Sequence, residues 1–173
     1  KCGKVAVIDH HRKGVGYIQN PDLVCHEPYS SSASELVTEL LQYVGERDDK
    51  PNRVEAEGLL SGIMLDTRDF TLHTGVRTFE AAAALRRYGA ETERVRQLFD
   101  VTMVEYNAKA GLVEKAKMYR NCAISIGGEV AAEARVAIAQ AANDLLTIQG
   151  VDASFVAVQV GTGVNVSARS LGA

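Results

Sequence analysis

Val5-Ala6-Val7-Ile8 is a short, unbroken apolar run, rich in β-branched residues, that stops abruptly at Asp9-His10-His11. A continuous run of this length suits a buried parallel strand, and the carboxyl end of such a strand is where open α/β sheets place ligands. A polar loop with Gly14, Gly16, Asn20 and Pro21 follows, and Leu23-Val24-Cys25 predicts a second short strand. The apolar period then lengthens. Leu36, Val37, Leu40, Leu41 and Val44 recur at helical intervals, and Ser32 and Glu35 have capping-box spacing. They predict a helix over about 33–45, closed near Gly45. A second helix is predicted from Val54 to Leu65, with Leu59, Leu60, Ile63 and Met64 on its apolar side, running into Asp66-Thr67-Arg68-Asp69-Phe70. Val76 to Tyr88 predicts an alanine-rich helix stopped by Gly89, and Thr92 a cap for a short successor through Phe99.

The stretch from Asp100 to Glu105 reads as a joint, and a helix follows through about Lys115. A strand is predicted over Tyr119 to Ile126, then a Gly127-Gly128 turn and a long alanine-rich helix from about Val130 to Ile148. Ala153 to Val160 and Val164 to Ala168, joined by Gly161-Thr162-Gly163, read as a hairpin. The order β, α, β, β in this last third differs from the first two-thirds, which predicts an α/β chain in two parts. There is no internal repeat or low-complexity tract.

The bulk numbers narrow the function classes. The 173 residues fit one domain or two small ones, and 46% apolar with 24% charged residues is the balance of an ordinary globular protein. A net charge of −3 gives no general attraction to nucleic acid or to an anionic membrane, so any phosphate binding must be local. Cys2, Cys25 and Cys122 are odd in number and widely spaced, which fits a reducing compartment better than a disulfide framework. No apolar run approaches the roughly 20 residues of a membrane span, and the start does not read as a signal peptide. The chain opens without methionine in a strand-like run and stops just after Ser167-Ala168-Arg169-Ser170-Leu171-Gly172, so it reads as an excised or incomplete piece.

Three clusters carry candidate chemistry. Asp9, His10 and His11 put imidazole and carboxylate together at a predicted strand mouth, a donor set that suits Mn²⁺, Fe²⁺ or Zn²⁺. The plainer reading is a polar strand end with solvated histidines. Asp66 falls at the carboxyl end of an apolar helix, where its charge meets the negative end of the dipole and calls for a cation, either a metal or Arg68. Arg169, flanked by Ser167 and Ser170, can offer a planar fork and neutral donors to a phosphate, although an exposed strand-end arginine is the commoner situation. His26 and His73 read as lone loop histidines, solvated or locally hydrogen-bonded, and Gly161-Thr162-Gly163 as a turn with no phosphate-binding helix after it.

These residues resemble the DHH/DHHA1 phosphoesterases, and within them the cyclic-di-AMP phosphodiesterases of bacterial membranes. Val7-Ile8-Asp9-His10-His11-Arg12 is similar to the family's name-giving motif. His26-Glu27-Pro28-Tyr29 with Ser31 to Leu40 resembles the stretch that follows it in the cyclic-dinucleotide branch. Gly62 to Thr71 resembles the motif bearing the last metal-binding aspartate, and Ser167 to Gly172 the start of the substrate-binding part of the DHHA1 domain.

The resemblance implies a parallel-sheet DHH domain, here its C-terminal portion over 1–100, and the N-terminal portion of a smaller DHHA1 domain with a mixed sheet over 101–173. It implies that His10 and Asp66 ligate one of two Mn²⁺ ions, that His11 acts on the scissile phosphate, that Asp9 orients the histidines, and that Arg169 and Ser170 bind the nucleotide. The expected partner is a cyclic dinucleotide or short oligonucleotide, with no long nucleic acid. A homodimer is left open. The parent protein is expected on the cytoplasmic side of the bacterial membrane, attached only through parts outside this soluble segment. The family's first motif, its bridging aspartate and its glycine-rich, histidine-ending motif are absent. The expectation is therefore a metal-dependent phosphodiesterase that is inactive as this segment. The alternatives are an oligoribonuclease or 3′-phosphoadenosine phosphatase of the same superfamily, or a non-catalytic nucleotide-binding module.

Overall fold

A computed structural model describes residues 3–43, 50–129 and 135–172. The fold is α/β and divides into two compact units, Lys1–Asp100 and Val101–Ala173.

In the first unit β1 (Ala6–Asp9) and β2 (Leu23–His26) pair in parallel, with Asp9 opposite His26 at their carboxyl ends. Four helices follow: α1 (Ala33–Gln42), α2 (Arg53–Asp66), α3 (Val76–Arg87) and α4 (Thr92–Gln97). The end predicted for α1 at Gly45 lies outside the described residues. The strands are less buried than their apolar run implies. Val7 is buried while Val5, Leu23 and Val24 are exposed, because α1 packs on β1 and no second layer covers the pair among the described residues. The core lies between the helices, where Leu60 and Ile63 of α2 meet Ala81 and Leu85 of α3, closed by Ala90 and Val95. Thr92 does not cap α4 as predicted. Glu91 holds that position without a side-chain bond and Thr92 is the first helical residue.

The second unit stacks α5 (Met103–Glu114) and α6 (Arg135–Leu146) on a mixed sheet ordered β3-β4-β5-β6. A reciprocal capping box between Thr102 and Glu105 starts α5 immediately after the division between units. The one strand predicted over Tyr119 to Ile126 is a hairpin of β3 (Lys117–Tyr119) and β4 (Cys122–Glu129), turned at Arg120, whose φ is 52°. The predicted Gly127-Gly128 turn lies inside β4. A Cβ on Gly127 would collide with Leu112 of α5 and Val158 of β5, so this glycine admits a close helix–sheet approach, and in place of a turn Gly127-Gly128 falls at a register shift between Ile126 and Glu129 against β5. The start predicted for α6 at Val130 lies outside the described residues.

β5 (Ala153–Val160) joins β4 in parallel and forms a hairpin with β6 (Gly163–Ser170) across Gly161-Thr162. Ser154, Val156 and Val158 face the helices with Ala123 and Ser125, while Ile126, Val164 and Val166 are exposed on the opposite face. Two buried serines tie the layers: Ser125 Oγ donates to the Leu112 carbonyl and Ser154 Oγ to that of Ala142, each at 2.6 Å. The first satisfies a carbonyl in the last turn of α5 that has no partner within the helix.

Two glycines of α2 should respond oppositely to alanine. At Gly62 a Cβ would run into the Ser34 side chain on α1, whereas at exposed Gly58 it meets nothing within 4 Å. Urea unfolding should show Gly58→Ala stabilising by about 0.5–1 kcal/mol, through helix propensity alone. Gly62→Ala should destabilise by about 1–2 kcal/mol through overpacking that exceeds the same propensity gain.

Candidate active site

β1 delivers Asp9 to the sheet's carboxyl edge, and the chain turns there under three constraints. The Glu27 N–H donates to the Asp9 carbonyl at 3.0 Å, extending the parallel pairing past the strand. The His11 N–H donates to Asp9 Oδ1 at 3.0 Å, and His11 Nδ1 lies 2.8 Å from the same oxygen. His26 Nε2 donates to the His11 carbonyl at 2.6 Å, with its ring edge-on to Tyr17. His26 is thus the last residue of β2 and not a loop histidine, and its bond locks the turn carrying the two candidate histidines.

These bonds favour the charged form of Asp9. The His11 backbone N–H, and then its ring, hold the Asp9 carboxyl below its ordinary value. An ionised Asp9 accepts from Nδ1, which leaves Nε2 as the ring nitrogen not engaged by Asp9 on a His11 side chain 77% exposed. The His10 ring lies beside that of His11, centroids 4.4 Å apart, with its Nε2 3.6 Å from Asp66 Oδ2 at the last residue of α2.

The chain past Asp66 is unusual. Arg68, Asp69 and Phe70 have φ of 46°, 60° and 63°, and His73 has 55°. Non-glycine residues in this left-handed region each cost on the order of 1 kcal/mol or more, and persist where surrounding bonds over-determine them. Buried Thr67 supplies those bonds. Its hydroxyl donates to the Ile63 carbonyl at 2.7 Å and accepts the Phe70 N–H at 3.0 Å, while its carbonyl accepts from Thr71 and Leu72. Asp69 pairs with Arg96 of α4, and Phe70 stacks on Phe79 of α3 at 5.7 Å. The tight return brings His73 back beside Asp66.

The far wall comes from the segment before α1. Ser32 caps the helix, accepting the Glu35 N–H at 3.0 Å, but the predicted capping box is only half formed. The Glu35 carboxylate, 2% exposed, instead accepts from the hydroxyls of Ser30 (2.8 Å), Ser31 and Thr78. Burial pushes this carboxyl up, but the hydroxyls of Ser31, Thr78 and Ser30 outweigh it and hold the group below its ordinary value. Arg77 of α3 adds a second tie, bidentate to Glu39 at 2.7 and 2.5 Å and single to Glu27 at 2.6 Å.

The result is an open cavity of about 420 Å³ in the first unit. His10, His11, Asp66 and His73 line one side, and Pro28, Tyr29, Ser30 and Ser31 the other. The structure therefore brings together Asp9, His10, His11 and Asp66. His73 and the 28–31 wall were not singled out as site residues, because only the strained return after Thr67 and the Glu35 bonds carry them there. Among the described residues no three His, Cys, Asp or Glu side chains are placed to hold one ion. His10 and Asp66 are the nitrogen–oxygen pair that fits one. Their 3.6 Å separation suits two ligands each about 2.0–2.2 Å from a shared cation.

Arg169 and Ser170 belong to the second unit and alternate across β6. Arg169 faces α6, donating from Nε to Asn143 Oδ1 at 3.0 Å and from one terminal nitrogen to the Ala168 carbonyl at 2.8 Å. Ser170 is exposed at the strand end and donates to the Gly172 carbonyl at 2.7 Å.

The chain that builds this site is similar to known proteins. Residues 1–63 match the DHH family, N-terminal domain. Its curated relatives include the cyclic-di-AMP phosphodiesterases GdpP of Geobacillus thermodenitrificans and Bacillus subtilis, 49% and 47% identical over 99% of this chain. The cyclic-di-AMP phosphodiesterase PdeA of Listeria monocytogenes is 42% identical over 97% of it. The chain spans about a quarter (26–27%) of the length of these relatives. The fold matches that of an exopolyphosphatase-related protein from Bacteroides fragilis, with a TM-score of 0.81 at 21% identity over 96% of this chain and 51% of that one.

The Glu35 bonds predict a pH signature. Because folding lowers its pKa, the stabilisation is present above the ordinary value of 4.5 and lost as pH falls through the lower folded value. Glu35→Gln should destabilise by about 2 kcal/mol at pH 7, the worth of charge-assisted hydrogen bonds to a buried carboxylate. In urea titrations the gap to wild type should narrow steadily below pH 4.5.

Proposed function

We propose that the full-length protein carrying this chain is a metal-dependent phosphodiesterase that opens cyclic-di-AMP to a linear dinucleotide. The observation that carries this reading is the pairing of His10 Nε2 with Asp66 Oδ2 at 3.6 Å, beside a His11 whose Nδ1 is committed to Asp9. The 42–49% identity to cyclic-di-AMP phosphodiesterases supports the substrate. His10 and Asp66 would hold one ion of a pair, for which we propose Mn²⁺. A bound divalent pair supplies Lewis acidity and a nucleophile at neutral pH.

The chain's own residues do the rest. Asp9, kept ionised, fixes the His11 ring through Nδ1 and stabilises it when charged. A proton held at His11 Nε2 is placed for delivery to the leaving oxygen of the phosphodiester. Residues 101–173 we assign to the start of a DHHA1 domain that binds the nucleotide. Arg169 makes only neutral hydrogen bonds among the described residues, so its charge is available for a phosphate. No described helix is long and apolar enough to cross a membrane, and we assign attachment at the cytoplasmic face to parts outside this chain.

With no three ligating side chains placed to hold one ion among the described residues, the 173-residue chain alone should show no Mn²⁺-dependent cleavage of cyclic-di-AMP. In the full-length protein His10→Ala should reduce that cleavage on the order of 100-fold or more. A wild-type rate in the variant would remove His10 from the metal site.

A further inference from the structure

Tyr29 is 99% exposed, yet the loop that carries it is among the most firmly tied segments of the first unit. On one side, Glu27 is gripped by Arg77, itself anchored to Glu39 of α1. On the other, the hydroxyls of Ser30 and Ser31 donate to the buried Glu35 carboxylate. The Ser30 N–H closes the loop onto the Glu27 carbonyl at 3.1 Å, and Pro28 fixes its own φ. A mobile loop would let an exposed aromatic fold back and bury its surface, which apolar burial favours. Here the backbone on both sides is held, and the ring stands in solvent on the wall of the cavity that His10, His11 and Asp66 also line.

We propose that Tyr29 is a preorganised stacking platform for a nucleobase of the substrate, and so a specificity determinant of this site. The proposal rests on the phosphodiesterase reading above. Of the groups on a nucleotide diester, only the base presents a flat apolar face, and phenol-to-base stacking needs no hydrogen-bond partner. Since every base has such a face, Tyr29 would favour nucleotide diesters over simple ones without choosing among bases. Ordering cost is small, because the loop is already held in place.

The test uses the full-length protein with Tyr29→Ala and Tyr29→Phe. Tyr29→Ala should raise KM for cyclic-di-AMP about tenfold with a smaller change in kcat, and Tyr29→Phe should keep the wild-type KM. Fluorescence of a linear dinucleotide containing 2-aminopurine should be quenched on binding to wild type and to Tyr29→Phe, and not to Tyr29→Ala. Mn²⁺ affinity and melting temperature should be unchanged in both variants, since the ring contributes to neither. A wild-type KM together with wild-type quenching in Tyr29→Ala would overturn the proposal. If the wild-type protein failed to cleave cyclic-di-AMP, the phosphodiesterase reading would fall, and the 2-aminopurine measurement alone would still decide the role of Tyr29.

Discussion

A carboxylate removed from water must be compensated, and at Glu35 that requirement organises the first unit. Its acceptors are met by hydroxyls from two directions, Ser30 and Ser31 just before α1 and Thr78 at the start of α3. One buried charge thus sets the entry of one helix, the seat of another and the path of the loop between strand and helix. Apolar packing of Leu60, Ile63 and Leu85 holds the helices together, but it is non-directional and would tolerate small rotations. The Glu35 bonds do not, because a misplaced hydroxyl leaves the charge unpaired.

The same logic of directional bonds recurs around the candidate metal ligands. Asp9 is clamped by the backbone and ring of His11, the His11 carbonyl by His26, and the turn after Asp66 by Thr67. Each bond fixes a side chain through its backbone rather than by filling space. The strain in the left-handed run Arg68-Asp69-Phe70 is carried by Thr67, Arg96 and Phe79, residues with no place in the chemistry. The site is therefore supported from the helical core, although three of its acidic and imidazole groups come from one tripeptide.

Much of this was legible in the sequence, and for identifiable reasons. Helical periodicity placed α1, α2 and α3 because their core faces follow a local repeat, and the polar stop after Ile8 marked the strand mouth. Asp9-His10-His11 and Asp66 were both legible as candidates, and the fold brings His10, His11 and Asp66 to one cavity. Other features depend on partners distant in sequence. The spacing of Ser32 and Glu35 predicts a capping box, but Thr78 lies 43 positions further on and draws the carboxylate away. Gly127 resembles a turn glycine until Leu112 and Val158 are seen against it. His73 reaches the cavity only through a backbone conformation that its residue types disfavour.

The hairpin of β5 and β6 shows how much can hang on a count. Two residues, Gly161 and Thr162, connect strands whose register puts Arg169 opposite Ser154, on the side toward α6. Side chains alternate between faces along a strand, so a slip of one position sends Arg169 outward and Ser170 inward together. The identity of Thr162 matters little to this arrangement, whereas the length of the turn decides it. Such a turn admits exchange at Thr162, holds glycine at Gly161 through its φ of 58°, and is nearly closed to insertion and deletion.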